Sequence, residues 1–316
     1  MVKVAFLNLE NLFINLDKHP GESQLTRDQL ETMTEREWQN LASGLTPNKP
    51  LRKTLDCAAT LLAMDPDIIL LVEVGGYDSI HSFNQLFLSS HYQVYYGPTA
   101  SDRGIDMAYL CKSKFKLRLL SHQERELPHP TYKKFARDVL QADLMYQGQL
   151  KAHFFLVHLK SKLNLKKTDF EGRTQRQVEV TGLSQIIRET QEKSSLPIIL
   201  MGDFNGETYP EVLEPEFYPL YHLADLKNLF FEAHFPEAER WTYLFWRQGQ
   251  KIAQQLDSIF VSSAALKAYV PGSLAISRFV THEGRALPVP DSPSKRSLLP
   301  TDHYPLYCEF ELYKAL

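Results

Sequence analysis

The sequence predicts a layered α/β fold. Three observations carry that reading. Strand-like apolar runs alternate with helical patterns, one run is continuously apolar, and neither an internal repeat nor a linker between compact halves breaks the alternation over 316 residues. A single domain spanning residues 1–316 is expected. Strand-like runs fall at residues 2–9, 68–74, 107–111, 116–120, 138–146, 149–159, 197–201, 241–246, 255–261 and 304–312. Ile68-Ile69-Leu70-Leu71-Val72 has no polar interruption, as a strand buried on both faces requires. Gln147-Gly148 and Arg247-Gln248-Gly249-Gln250 read as hairpin tips.

Two helices are well marked. Leu51, Leu55, Ala58, Ala59 and Leu62 share one face, and Pro66 follows the end of that helix. Val180, Leu183 and Ile187 stripe a helix over 170–193, with Asp169 as a possible N-cap. One turn back along the stripe stands Arg176, on or near the inward face. A weaker helical pattern covers 77–89. Residues 18–50 are polar and form an excursion with a short helix at 34–41. Residues 281–300 hold Pro288, Pro290, Pro293 and Pro300 and make a Pro-rich loop just before Asp302.

Composition narrows the function. Lys+Arg 35 against Asp+Glu 38 leaves a net charge of −3, so any anion must be held by a local patch rather than by the whole surface. Cys57, Cys111 and Cys308 make no metal-binding spacing and suit free thiols in a reducing compartment. No segment approaches the roughly 20 apolar residues of a membrane helix. A cytoplasmic protein without stable membrane association is expected, and a monomer is assumed.

The informative residues are polar ones that break apolar runs. Asn8 and Glu10 interrupt Val4-Ala5-Phe6-Leu7, and Glu73 ends the run from Ile68. Asp203 and Asn205 follow Ile198-Ile199-Leu200-Met201-Gly202, Asp257 precedes Ile259-Phe260-Val261, and Asp302-His303 precedes the last strand. A carboxylate beside a buried strand costs several kcal/mol unless it is paired or binds a metal. Any one such break is an ordinary strand end. Five along one chain point to a common site.

These motifs resemble the endonuclease/exonuclease/phosphatase superfamily, in particular its deoxyribonuclease I-like members. The resemblance rests on Asn8-Leu9-Glu10, Leu71-Val72-Glu73, Arg103-Gly104-Ile105-Asp106, Val157-His158-Leu159-Lys160-Ser161-Lys162, Gly202-Asp203-Phe204-Asn205, Leu256-Asp257-Ser258 and Thr301-Asp302-His303-Tyr304-Pro305. It implies a two-sheet β-sandwich flanked by helices, a four-layer arrangement with the site at one edge. It also implies roles. Glu73 would hold a divalent ion, with Asn8, Glu10 and Asp302 beside it, and an all-oxygen set favours Mg²⁺ or Mn²⁺. Asp203 would deprotonate the attacking water, and Asn205 would hold the water or the phosphate. His303, oriented by Asp257, and His158, paired with Asp106, would contact the phosphate.

Basic residues follow His158. Lys160 and Lys162 precede the helix over 170–193, and Arg173 and Arg176 open it. These four and Arg103 are candidate phosphate contacts, against the plain alternative of solvated surface charge. Trp241, Tyr243, Phe245 and Trp246 could stack bases or pack into the core. The leading expectation is a divalent-metal-dependent phosphodiester hydrolase, a nuclease acting on DNA or RNA by in-line attack of water. A phosphatase or phosphodiesterase of a small molecule or lipid head group is the first alternative. A catalytically inactive binding protein is the second, and the completeness of Asn8, Glu73, Asp203, Asn205, Asp302 and His303 speaks against it.

Overall fold

The computed structural model describes residues 1–18, 25–44, 46–99, 104–162 and 169–313. Two six-stranded sheets lie face to face. The strands of the first are β1 (Val2–Leu12), β2 (Ile68–Val74), β3 (Gln93–Gly97), β4 (Asp106–Cys111), β13 (Ala275–Ile276) and β14 (Leu306–Phe310), in the order β13-β14-β1-β2-β4-β3. The second contains β5 (Lys116–Ser121), β6 (Val139–Tyr146), β7 (Gln149–His158), β8 (Ile198–Asp203), β9 (Lys227–Asn228) and β12 (Asp257–Val261), in the order β5-β6-β7-β8-β12-β9. A separate hairpin pairs β10 (Tyr243–Arg247) with β11 (Gln250–Gln254).

The alternation of each inner strand explains the layers. Phe6, Leu70, Phe154 and Met201 are fully buried between the sheets. Their neighbours one residue along point outward, because side chains alternate across a strand. Ala5, Leu7, Ile69 and Leu71 meet helix α3 (Leu51–Met64) through Leu55, Ala58 and Leu61. On the far side Phe155, Val157 and Leu200 meet α5 (Arg173–Lys193) through Val180, Leu183 and Ile187. Burial of each such side chain contributes about 1.5–3 kcal/mol. The two-sheet sandwich flanked by helices is therefore the observed fold.

Differences from the sequence reading are local. The excursion carries two short helices, α1 (Arg27–Thr32) and α2 (Glu35–Asn40), each opened by a capping box on Thr26 or Thr34. The pattern over 77–89 is α4 (Tyr77–Ser82) running into a π-helical turn at Phe83–Phe87. Strand β3 was not foreseen, because Gln93-Val94-Tyr95-Tyr96 lacks a clear apolar alternation. The N-cap of α5 is Gly172 rather than Asp169, because a 3-10 turn at Phe170–Gly172 intervenes, but the Asp169 carboxylate still accepts from the first-turn N–H groups of Thr174 at 3.0 Å and Gln175 at 2.9 Å. The Pro-rich segment is a loop with one helical turn at Pro293–Arg296. Cys57, Cys111 and Cys308 are buried free thiols. Among the described residues no helix is long and apolar enough to cross a membrane.

Candidate active site

Strand register brings the motifs together. Asp203 at the end of β8 lies opposite His158 of β7 on one side and opposite Asp257 of β12 on the other. Three of the singled-out residues thus form one row across the end of the second sheet. The close approach of β7 and β8 explains Gly202: a Cβ there would sit 2.2 Å from the Val157 carbonyl oxygen. Asn8 of β1 and Glu73 of β2 stand at the corresponding end of the first sheet. Between the two rows opens a cleft of about 470 Å³. Glu10, Glu73, His158, Asp203, Asn205 and His303 are among its walls.

Left-handed backbone recurs at the cleft. Glu10, Asn11, Glu73 and Asn205 all have left-handed φ, at 47°, 58°, 60° and 53°. Each costs of order 1 kcal/mol or more for a residue with a side chain, and such strain gathers at functional sites. The turns are held by hydrogen bonds. Asn8 Oδ1 accepts from the Glu10 N–H at 2.9 Å, Glu73 Oε2 from the Asn11 N–H at 3.1 Å, and Asp203 Oδ1 from the Asn205 N–H at 2.9 Å.

Asp203 is the hub. Its Oδ2 accepts from Asn8 Nδ2 at 3.1 Å, and lies 3.6 Å from His158 Nε2 and 3.8 Å from His303 Nε2. Burial pushes its carboxyl up to about 7, with Asp257 and Glu73 adding to the rise and His303 opposing it. Behind His303, Asp257 Oδ2 meets Nδ1 at 2.8 Å, and the other Asp257 oxygen is buried with no hydrogen-bond partner. Burial works against the His303 imidazolium, but Asp257 and Asp203 outweigh it and hold the ring well above its ordinary pKa.

Asp203, Asp257 and His303 offer ligand atoms within 4.8 Å of one another. His303 Nδ1 is engaged with Asp257 Oδ2 at 2.8 Å, which makes this trio a hydrogen-bonded group in its own right. The fit for a cation is better at Glu73. Its Oε1 faces His158 Nε2 at 3.7 Å, and no lysine or arginine among the described residues pairs with it. An oxygen donor in a half-dry cleft, with no fixed cation answering it, suits a hard divalent ion.

The other expected ligands are already engaged. Asn8 spends its carbonyl on Glu10 N–H and its amide on Asp203, and these two contacts also fix which way the amide points. Glu10 Oε2 pairs with Lys49 at 3.7 Å and Lys53 at 3.4 Å. Asp302 accepts from Arg296 at 3.1 Å.

Two expected contacts are not made. His158 does not pair with Asp106. That carboxylate accepts from the Tyr96 hydroxyl at 2.5 Å and the Thr99 N–H at 2.7 Å, because β3 lies beside β4 and delivers Tyr96 to it. His158 instead bridges Glu73 and Asp203. Arg176 does not face substrate. It is fully buried and donates to Glu216 at 2.5 Å and to the carbonyls of Lys160 at 2.9 Å and Glu171 at 3.1 Å.

Of the remaining basic candidates, Lys162 lines the cleft but pairs with Glu214 at 2.5 Å. Lys160 is tied through its backbone, its N–H donating to Glu179 at 3.1 Å. Arg173 is exposed, beside Glu171 at 3.1 Å and over the Phe170 ring. Arg103 lies outside the described residues. Tyr243 and Phe245 of β10 are cleft residues, and the Tyr243 ring is 4.9 Å from that of His303. Sequence reading missed Arg137, which lines the cleft and donates to the carbonyls of His158 at 3.3 Å and Leu159 at 3.1 Å. It also missed Lys49, whose neighbour Pro50 was the only local signal.

The model of the Endonuclease/Exonuclease/phosphatase family matches residues 3–277, and the chain belongs to that family. Membership makes it a hydrolase acting on phosphate ester bonds. No curated protein matches it by sequence. Among solved structures, D. rerio TDP2 complexed with single strand DNA product is 16% identical, covering 97% of this chain and 97% of that one, with a TM-score of 0.58. The human Nocturnin catalytic domain with bound sulfate anion is 19% identical, covering 97% and 93%, with a TM-score of 0.56. The mannosyl-6-phosphatase of Bacteroides thetaiotaomicron is 16% identical, covering 98% and 99%, with a TM-score of 0.58. At these identities the likeness is one of fold.

Proposed function

We propose that the protein is a divalent-metal-dependent phosphodiester hydrolase that cleaves single-stranded nucleic acid. The observation that carries the reading is the setting of Asp203. It is a buried carboxylate poised near neutrality, oriented by Asn8 and Asn205, flanked by two imidazoles, and faced across the cleft by Glu73. A general base works best with a pKa near the working pH, and burial moves Asp203 in that direction.

In this reading a divalent cation on Glu73 supplies charge for the phosphate and the departing oxygen. Asp203 Oδ2 takes the proton of the attacking water, while Asn8 and Asn205 prevent the carboxylate from rotating. His303 presents Nε2 to a phosphate oxygen, because its Nδ1 is committed to Asp257. His158 Nε2 does the same from the opposite side. Asp106 holds the strand end beside Thr99 and takes no chemical part.

A nucleic-acid substrate is favoured by Tyr243 and Phe245, which give the cleft an aromatic flank against which bases can stack. Single strands are favoured over duplex because the net charge is −3 and Lys162 and Arg176 are already paired. The similar TDP2 structure holds a single strand DNA product. The test is a substrate panel with Mg²⁺, with Mn²⁺ and with chelator: single- and double-stranded DNA, RNA, a chromogenic phosphodiester, a phosphomonoester and sphingomyelin. Cleavage of single strands and of the diester should require the metal, and Glu73→Gln should remove most of it. Preference for the phosphomonoester over every diester would replace this reading with that of a phosphatase. Full turnover in chelator would refute the metal.

A further inference from the structure

Two ammonium groups converge on Glu10. Lys49 Nζ lies 3.7 Å from Glu10 Oε2 and donates to the Glu10 carbonyl oxygen at 3.3 Å. Lys53 Nζ donates to the same Oε2 at 3.4 Å. Lys49 is only 4% exposed, and a lysine buried that far is kept charged only by a partner. Its position is set by the fold, not by a mobile surface stem. The Lys49 N–H donates to the Phe13 carbonyl at 2.8 Å, and its own carbonyl accepts from Trp38 Nε1 at 2.9 Å. Lys53 projects from the first turn of α3. The positive end of that helix therefore adds to the charge on the same side.

The rest of the acidic wall is asymmetric. Asp302, on the other flank, is answered by Arg296 at 3.1 Å. Glu73 accepts from the Asn11 N–H at 3.1 Å, and the one ionisable side chain paired with it among the described residues is His158 at 3.7 Å. A metal ion at Glu10 would share one carboxylate with two fixed cations, one of them sealed from water, and be repelled by both. At Glu73 no lysine or arginine among the described residues opposes it.

Resting on the hydrolase reading above, we infer that Lys49 and Lys53 are a built-in cation of the active site. They hold Glu10 as an ion-paired wall outside the metal shell, so that one divalent ion, on Glu73, serves the reaction. Lys49 and Lys53 are positioning residues in this arrangement. They supply in covalent form the positive charge that a second ion would bring.

Mn²⁺ binding to the full chain, measured by calorimetry without substrate, tests this. The wild type should bind one ion. Glu73→Gln should weaken it at least tenfold, and Glu10→Gln should change it less than threefold. Lys49→Met/Lys53→Met frees Glu10, and should either add a second isotherm or tighten binding at least tenfold. Adding Glu10→Gln to that double variant should abolish the gain. Lys53→Met alone, whose side chain is partly exposed, should show a smaller gain in the same direction and guards against misfolding of the double variant. Thermal unfolding in chelator checks that each protein is folded. Two ions in the wild type, equal losses from Glu10→Gln and Glu73→Gln, or folded lysine variants with unchanged affinity would each overturn the inference. No binding at all would overturn the metal-dependent reading and this inference with it. One bound ion without hydrolysis of any panel substrate would refute the hydrolase reading alone.

Discussion

Replacing Arg176 with methionine separates a structural cation from a substrate contact. The guanidinium is fully buried and makes its closest contact with Glu216, itself 4% exposed. Methionine fills much of the same volume but leaves Glu216 charged without its partner, and strips a donor from the carbonyls of Lys160 and Glu171. Breaking one side of a buried pair costs about 3–5 kcal/mol. With an unfolding entropy of roughly 2.1 cal/mol/K per residue, a chain of this length loses about 1.5 °C of Tm per kcal/mol, or roughly 5–8 °C in all. The assay is thermal unfolding by circular dichroism in chelator, paired with KM for a single-stranded oligonucleotide and for a chromogenic diester. The midpoint should fall and both substrates should respond alike, because the damage is to the segment after His158. An unchanged midpoint with a raised KM for the oligonucleotide alone would refute it and return Arg176 to phosphate binding.

Tyr243→Ala and Phe245→Ala should each raise KM for an oligonucleotide by roughly tenfold, in line with about 1–3 kcal/mol per stacked base, and leave the chromogenic diester almost unaffected in steady-state kinetics. His158→Ala should lower kcat by roughly 10²–10⁴-fold, the range of a positioned acid or base, whereas Asp106→Asn should not reproduce that loss, because its oxygens serve Tyr96 and Thr99. Asp138 is buried, and burial pushes its carboxyl up to about 6 from 3.8. The folded state therefore binds more protons than the unfolded one between those values, and this contribution to stability, about 3 kcal/mol, is present below pH 4 and lost as pH rises through 6. Denaturant unfolding of Asp138→Asn from pH 4 to 7 should lack that part of the slope.

What was legible in the sequence follows from how each feature is encoded. Strands β2, β7, β8 and β12 could be read because strands buried on both faces need apolar runs, and the polar residue ending the run in β2, β7 and β8, or opening it in β12, marked the cleft directly. The inward place of Arg176 could be read from the helical stripe. Its partner could not, because Glu216 lies forty residues away with nothing local to mark it as buried. The pairing of His158 failed for a similar reason. It depended on β3, a half-exposed strand of glutamine, valine and tyrosine that carries no strong signal yet supplies the hydroxyl that occupies Asp106. Lys49 ends a polar excursion and reads as surface charge. Only the packing of Trp38 against the segment before α3 turns it inward.

The charges of the cleft follow one pattern once the partners are set out. Glu10 has Lys49 and Lys53, Asp302 has Arg296, and Asp257 has His303; Asp203 stands between two imidazoles. Glu73, which also accepts from the Asn11 N–H, is the carboxylate that among the described residues has an imidazole, at 3.7 Å, as its one ionisable side-chain partner. On the basic side the same economy holds, since Lys162 is tied to Glu214 and Arg176 to Glu216. Of the cleft's other described basic side chains, Arg137 donates to the carbonyls of His158 and Leu159. In the proposed reading a substrate would therefore be held by local features of the cleft: an ion at Glu73, two imidazoles for the phosphate, and the rings of Tyr243 and Phe245 for what is attached to it. Such a site would reward one phosphate with an aromatic or planar neighbour and gain little from a long run of phosphates. On that proposal a flexible single strand suits the cleft better than a duplex.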